Sequence, residues 1–151
     1  MNGAVKCKTT SEVLLAVYKN VKMAGDSILT LMPKVKDAAL KSDMTVQLSV
    51  FEAFASRATK LLAREGVKPE EENLLTRVSA KWGSMMNTML DSSSSHIAEM
   101  LVEGATMGVT DMMRELREAE NSRVSEDAPK LTRDVCAYEE KLVEEMKAYL
   151  R

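Results

Sequence analysis

One pattern runs along most of the chain: apolar residues recur every three or four positions, which is the spacing of an amphipathic α-helix. No stretch of useful length alternates between apolar and polar residues, as a half-buried strand would. The 151 residues include only 6 glycines and 3 prolines, too few for the many turns of a β-sandwich or barrel. The pattern therefore predicts an all-α protein, and the length is that of one domain.

Residues that favour helix ends divide this pattern into four long helices, numbered one, two, four and five, and a short third helix. The boundary signals are the capping or first-turn residues Thr9, Asp37, Pro69 and Asp127, the polar run 91–95, and the stop residue Gly66. The third helix is expected to end near Met89, and the fourth to run from about His96 to about Ala119. Residues 1–9 are expected to form a flexible N-terminal tail and residues 10–151 a single helical domain.

The lengths of the links predict how the helices are connected. Short links join helix one to helix two and helix four to helix five, so each pair is expected to form an antiparallel hairpin. The link between helices two and four, about 30 residues with the short helix inside it, is long enough to travel the length of a bundle. The expected fold is an antiparallel four-helix bundle made of two hairpins and a long crossover. Its core is expected to include Val21, Ile28, Leu48, Phe51, Ala55, Leu62, Ile97, Leu101, Val135, Tyr138 and Leu142.

Three stretches carry a resemblance to a known family: 18–23 (YKNVKM), 86–91 (MNTMLD), and 95–100 (SHIAEM) continuing to 104–108 (GATMG). Over roughly residues 12–150 the chain resembles the ferritin-like superfamily, and most closely small bacterial ferritin-like proteins without an established activity. The resemblance implies a ferritin-like four-helix bundle more firmly than it implies a function. Members that hold two metals take a Glu from each of two helices and a Glu-x-x-His from each of the other two.

The residues for such a di-metal centre are not all present. His96 is the only histidine, so two Glu-x-x-His motifs cannot exist. Asp26, Glu52 and Glu140 fall on polar stripes opposite the apolar seams and are expected to face solvent. Glu139 alone lies at the edge of a seam and is the one carboxylate expected to be able to look inward. The sequence therefore argues against a ferroxidase or a peroxide-reducing di-iron enzyme.

His96, Glu99 and Glu103 form the sharpest local cluster of potential metal ligands. Spacings of three and four residues place them on one face of the fourth helix. They would hold a single iron or zinc ion if another helix, for instance through Glu139, supplied further ligands. The favoured interpretation is a solvated polar stripe that continues through Thr106 and Thr110, and the metal site is the alternative.

The fourth helix also predicts self-association. Apolar residues cover well over half of its circumference between positions 97 and 109, more than one bundle seam needs. A homodimer through the fourth helix and the crossover helix would bury the excess, whereas a monomer is expected if Trp82, Met85, Met86 and Met89 cover it. Gly104 and Gly108 allow close approach of another helix, inside the bundle or in the dimer.

Composition excludes several function classes. Lys and Arg number 21 against 23 Asp and Glu, which is no electrostatic footprint for nucleic acid. No apolar stretch is long enough to span a membrane. No secretory signal is visible, and the two cysteines lack a Cys-x-x-Cys arrangement, so a cytoplasmic location is expected.

The sequence favours a non-catalytic structural or interaction protein that needs no cofactor. Neither a nucleotide-binding loop nor a hydrolase motif is present. The first alternative is a metal-binding protein that uses iron or zinc at His96, Glu99 and Glu103. The second alternative, ranked last, is a redox role through Cys136 or through oxidation of the 12 methionines.

Overall fold

A computed structural model describes residues 7–70 and 80–150 of the chain. Five helices are present in these residues: α1 (Thr10–Leu31), α2 (Ala38–Arg64), α3 (Ala80–Asn87), α4 (Ser94–Glu120) and α5 (Asp127–Met146). Short 3₁₀ turns follow α1 at Met32–Lys34 and α5 at Lys147–Tyr149. The described residues contain no strand, which confirms the predicted all-α class. The predicted start of the third helix falls largely on residues 71–79, outside the described residues, and Pro69 lies in a segment without regular structure.

Local capping chemistry sets most of the helix starts where the sequence predicted them. The Thr9 hydroxyl accepts a hydrogen bond from the Glu12 amide at 3.1 Å, and the Thr9 amide donates to the Glu12 carboxylate at 3.0 Å. Asp37 accepts from the Leu40 amide at 3.0 Å. The Ser93 hydroxyl accepts from the amide of His96 at 3.2 Å, so α4 begins two residues before the predicted His96.

Contacts between the helix ends fix the directions in which the helices run. Lys8, just before α1, pairs with Glu115 near the end of α4, so α1 and α4 are antiparallel. The end of α2 pairs with the start of α5 through Arg64 and Asp127, so these helices are also antiparallel. Because α1 packs against α2 across a short link, α1 and α5 run one way and α2 and α4 the other. The chain thus leaves α2 at one end of the helical assembly and enters α4 at the opposite end.

Most predicted core residues are buried where the four long helices meet. Eight of them are almost inaccessible to solvent: Val21, Ile28, Phe51, Leu62, Ile97, Leu101, Val135 and Leu142. Leu48, Ala55 and Tyr138 are half-buried and pack against that core, the Tyr138 ring lying edge-on to Phe51 with centroids 5.4 Å apart. The helical registers predicted from periodicity are therefore confirmed. None of the described helices combines the length and hydrophobicity that crossing a bilayer requires.

Cys7 and Lys8, which lie in the segment predicted to be a flexible tail, make specific contacts with α4 and the residues that follow it. The Lys8 amide donates to the Ser122 hydroxyl at 2.7 Å. The Lys8 ammonium lies 2.7 Å from a Glu115 oxygen and 3.3 Å from a Glu118 oxygen. Residues 1–6 lie outside the described part of the chain. These contacts hold the start of α1 against the end of α4.

Candidate functional site

The most unusual side chain in the interior is Glu139, near the middle of α5. It is 2% exposed and lies between Val135 and Leu142 on the face of α5 that packs into the core. The sequence had identified it as the one carboxylate able to look inward, and the structure buries it. Glutamate is rarely buried without a partner. The packing, hydrogen bonding and protonation of this carboxyl group therefore determine which ligands the interior could hold.

Gly108 on α4 makes room for the Glu139 carboxyl group. A Cβ atom at position 108 would collide with Glu139 Oε2 and would lie 2.7 Å from its Cδ atom and 2.9 Å from its Oε1 atom. Any other residue at this position would therefore displace the carboxyl group. Gly108 accordingly serves close packing inside this chain, one of the two roles predicted for the Gly104 and Gly108 pair.

Asn20 on α1 also contacts Gly108 on α4. It is 6% exposed, and its side-chain N–H donates to the Gly108 carbonyl oxygen at 3.3 Å. The remaining acceptor of Asn20, Oδ1, has no hydrogen-bond partner in the structure, and neither has Oε1 of Glu139. A buried polar atom without a partner costs about 1–3 kcal/mol. Two buried oxygen atoms without a hydrogen-bond partner therefore belong to side chains that contact Gly108.

A small cavity lies beside the Asn20 and Glu139 side chains, but the two unpartnered oxygens are themselves closed to solvent. Its volume is about 40 Å³, and since one water needs roughly 10–15 Å³, two or three water-sized groups fit. Apart from Asn20, Ser27 and Glu139, its wall is made of apolar or small residues: Met23, Ala24, Ile28, Phe51, Met100, Leu101, Gly104, Ala105, Met107, Gly108 and Leu142. Met107 is 40% exposed, so this wall reaches the protein surface.

Burial controls the protonation of Glu139. Removal from water, aided by the nearby negative charge of Asp111, raises the pKa of the Glu139 carboxyl to about 8. At pH 7 the group is therefore mainly a neutral carboxylic acid. Its neighbour Cys136 is also protonated, because burial and the carboxylate of Glu140 raise the pKa of that thiol to about 11. The interior thus holds protonated, uncharged groups rather than an ionised cluster.

The structure does not bring the predicted metal ligands together around this site. His96 is half-buried in the first turn of α4, whereas Glu99 and Glu103 are exposed. Glu139 contacts α4 at Gly108, twelve residues beyond His96 and hence roughly 18 Å along the helix axis. The suggestion that Glu139 could complete a site with His96 is therefore wrong, because the two lie more than three helical turns apart.

The interior also does not fit the di-metal centre of the metal-holding members of the ferritin-like superfamily. Such a centre needs several carboxylates and two histidines facing one another. Among residues 7–70 and 80–150, no three His, Cys, Asp or Glu side chains converge closely enough to hold a metal ion. The other buried carboxylate of this part of the chain, Glu115, is paired with Lys8. Asp26 is half-buried, and Glu52 and Glu140 are exposed.

Asn20 is the functional candidate that the sequence analysis missed. It lies three residues after Val17 and four before Ala24, on the apolar side of α1. That position was a usable signal, since a polar residue on an apolar seam must find a partner inside. Gln47 on α2 is a similar case: it is 1% exposed, and its amide donates to the Met146 sulfur at 3.7 Å.

Comparison with known proteins adds no relative: no protein-family model matches the chain, and no curated protein or solved structure is similar enough to show a relationship.

Proposed function

We propose that this protein is a non-catalytic helical protein of the ferritin-like type, with a structural or interaction role. The observation that carries the proposal is Glu139, a single carboxyl group held neutral by burial inside the helical assembly. Metal-dependent oxidation in this type of fold depends on several inward carboxylates and histidines that neutralise the cations. One neutral acid beside apolar walls supplies neither the charge nor the ligands.

The directions of the helices support the ferritin-like part of the proposal. Two hairpins, α1 with α2 and α4 with α5, are joined so that the chain exits one end of the assembly and re-enters at the other. A long crossover between two hairpins is the connection of ferritin-like bundles, whereas simple up-down bundles use short links throughout. The two cysteines are unpaired, which is consistent with the reducing cytoplasm where we place the protein.

We expect the interaction surface to lie on α4. Val102, Val109 and Met113 fall on one side of this helix, because seven and eleven residues return close to the same direction. Val102 and Val109 are only half-buried, and Met113 is 56% exposed. Leu90, in the link between α3 and α4, is 99% exposed. A second copy of the chain would cover such a strip in a two-fold contact.

Two measurements test the proposed function. Protein purified without chelators from iron-supplemented medium should contain less than one metal ion per chain and should show no di-iron absorbance after aerobic addition of Fe(II). Two bound metals per chain would overturn the proposal. One metal per chain that His96→Ala removes would instead favour the alternative site at His96, Glu99 and Glu103.

Light scattering tests the self-association separately. The proposal predicts a mass twice that of the 16.7 kDa chain, and Met113→Glu should reduce the mass to that of the monomer because it places a charge in the strip. Val46→Glu on α2 is the matched control, since Val46 has nearly the same exposure at 59%. A monomeric parent protein, or equal effects of the two variants, would contradict the α4 dimer.

A further inference from the structure

We propose that the groove between α1 and α2 is a binding site for a free α-amino acid with an apolar side chain. Residues of these two helices alone line the groove, and Glu139 is not among them. Its volume is about 240 Å³, and at roughly 10–15 Å³ for each water-sized group it has room for a molecule the size of leucine. This site goes beyond the proposed structural role and does not depend on it.

Charged side chains of both signs line this groove. Lys22 and Asp26 come from α1, and Glu52 comes from α2. Lys22 and Asp26 are half-buried, and Glu52 is exposed. Within the described part of the chain, none of the three forms an ion pair with another side chain. The groove therefore presents one ammonium group and two carboxylates to a ligand.

The order of the residues along α1 weakens the one pair that could form within this helix. Lys22 and Asp26 are four residues apart and lie on the same face. The favourable order places the acid four residues before the base, in agreement with the helix dipole, whereas here the lysine comes first. A Lys22–Asp26 pair would therefore compete only weakly with an external ligand.

The rest of the groove offers an apolar surface. Val21 and Phe51 are almost inaccessible to solvent, and Leu48 is half-buried. Gly25 has no side chain, and the nearest atom that an added Cβ would meet is Leu48 Cδ1, at 3.7 Å. Leu29, the last α1 residue to line the groove, is 54% exposed. An apolar side chain lying here would shield both leucines from water.

A zwitterionic amino acid matches the charged and the apolar parts of the groove together. Its carboxylate would accept hydrogen bonds from the Lys22 ammonium group. Its own ammonium group, with three N–H donors, would donate to Asp26 and Glu52. A simple cation would leave Lys22 without a partner, and a simple anion would leave both carboxylates without one. The apolar side chain of the ligand would lie along the apolar surface.

The test uses leucine as the probe and compares it with compounds that each lack one of its features. The compound 3-methylbutylammonium lacks the carboxylate, 4-methylpentanoate lacks the ammonium group, and glycine lacks the apolar side chain. Binding to the full chain at neutral pH and constant ionic strength is followed by ¹H–¹⁵N NMR at the Gly25 and Ala55 amides. We expect saturable shifts with leucine and a dissociation constant in the millimolar range, because partly exposed charges bind weakly. Each of the other compounds should bind about fivefold more weakly or less.

Variants show whether the charges of the groove are responsible for binding. Lys22→Met keeps a long unbranched side chain but removes the ammonium group, and should weaken leucine binding about threefold or more. Lys19→Met is the matched control and should leave binding unchanged, because Lys19 is an exposed α1 residue that does not line the groove. Equal affinities for leucine and 3-methylbutylammonium, equal effects of the two variants, or no saturable shift would overturn the site. Each of these results would leave the metal and mass measurements on the proposed function unaffected.

Discussion

Replacement of Glu139 by glutamine should remove a large pH-dependent loss of stability. The folded protein keeps the Glu139 proton up to about pH 8, whereas the unfolded chain releases it near the ordinary pKa of 4.5. Between these values the folded state binds more protons than the unfolded state, so the free energy of unfolding falls as pH rises. Each pH unit above the ordinary pKa lowers the free energy of unfolding by about 1.4 kcal/mol. The loss is therefore about 3 kcal/mol at pH 7 and about 5 kcal/mol above pH 8.

Glutamine has the same shape as glutamic acid but does not ionise, so Glu139→Gln should be nearly free of this loss. Urea unfolding of the parent protein and the variant at pH 5, 6, 7 and 8 measures the effect. The difference in unfolding free energy between Glu139→Gln and the parent should change in favour of the variant by about 1.4 kcal/mol per pH unit over this range.

The pH dependence of the stability difference is more informative than its value at one pH. The glutamine amide adds N–H donors that also need partners, and their effect on stability does not depend on pH. Glu103→Gln, which removes a carboxylate from an exposed position on α4, serves as the matched control. Parallel stability curves for Glu139→Gln and the parent would refute the claim that burial holds this carboxyl neutral.

The close packing of the helices determines how several positions respond to substitution or chemical modification. Gly108→Ala should destabilise the protein because its Cβ atom would overlap the buried carboxyl group. Gly25→Ala should instead stabilise it by about 0.5–1 kcal/mol, because the added Cβ atom would lie 3.7 Å from Leu48 Cδ1, an ordinary contact distance. Thermal unfolding compares the two variants. Leu142→Ala should lower the free energy of unfolding by about 2–5 kcal/mol in urea titrations, because Leu142 is buried in the core. Alkylation at pH 8 should modify exposed Cys7 rapidly and buried Cys136 only on unfolding; rapid modification of both would revive the redox alternative.

Local rules account for the helices and for much of the core. Thr9, Asp37 and Gly66 act through their own backbone or side chain within a few residues, so their roles were readable from the sequence. Gly66 has φ +73°, the left-handed conformation that a glycine C-cap adopts. Burial of seam residues also follows from periodicity, because each amphipathic helix must cover its apolar side.

The candidate site was only half predictable, because it is made by contacts between helices distant in the chain. The seam position of Glu139 indicated that its side chain could point inward. It did not indicate that Gly108 would lie against the Glu139 carboxyl group, or that Asn20 would donate a hydrogen bond to the Gly108 carbonyl oxygen. Those contacts depend on the rotation and axial offset of α1, α4 and α5 relative to one another. The axial offset of the helices could not be read from the sequence either. For this reason the sequence allowed His96 and Glu139 to be ligands of one metal ion, although the structure places them far apart.

The proposed function depends on a neutral Glu139 carboxylic acid in the interior of the helical assembly. A ¹³C NMR titration of the glutamate carboxyl carbons, with Glu139→Gln to assign the resonance, tests it most directly. The Glu139 resonance should titrate near pH 8 and should not move when equimolar Fe(II) or Zn²⁺ is added. A Glu139 resonance that titrates near the ordinary value of 4.5, or that shifts or broadens with either metal, would contradict it.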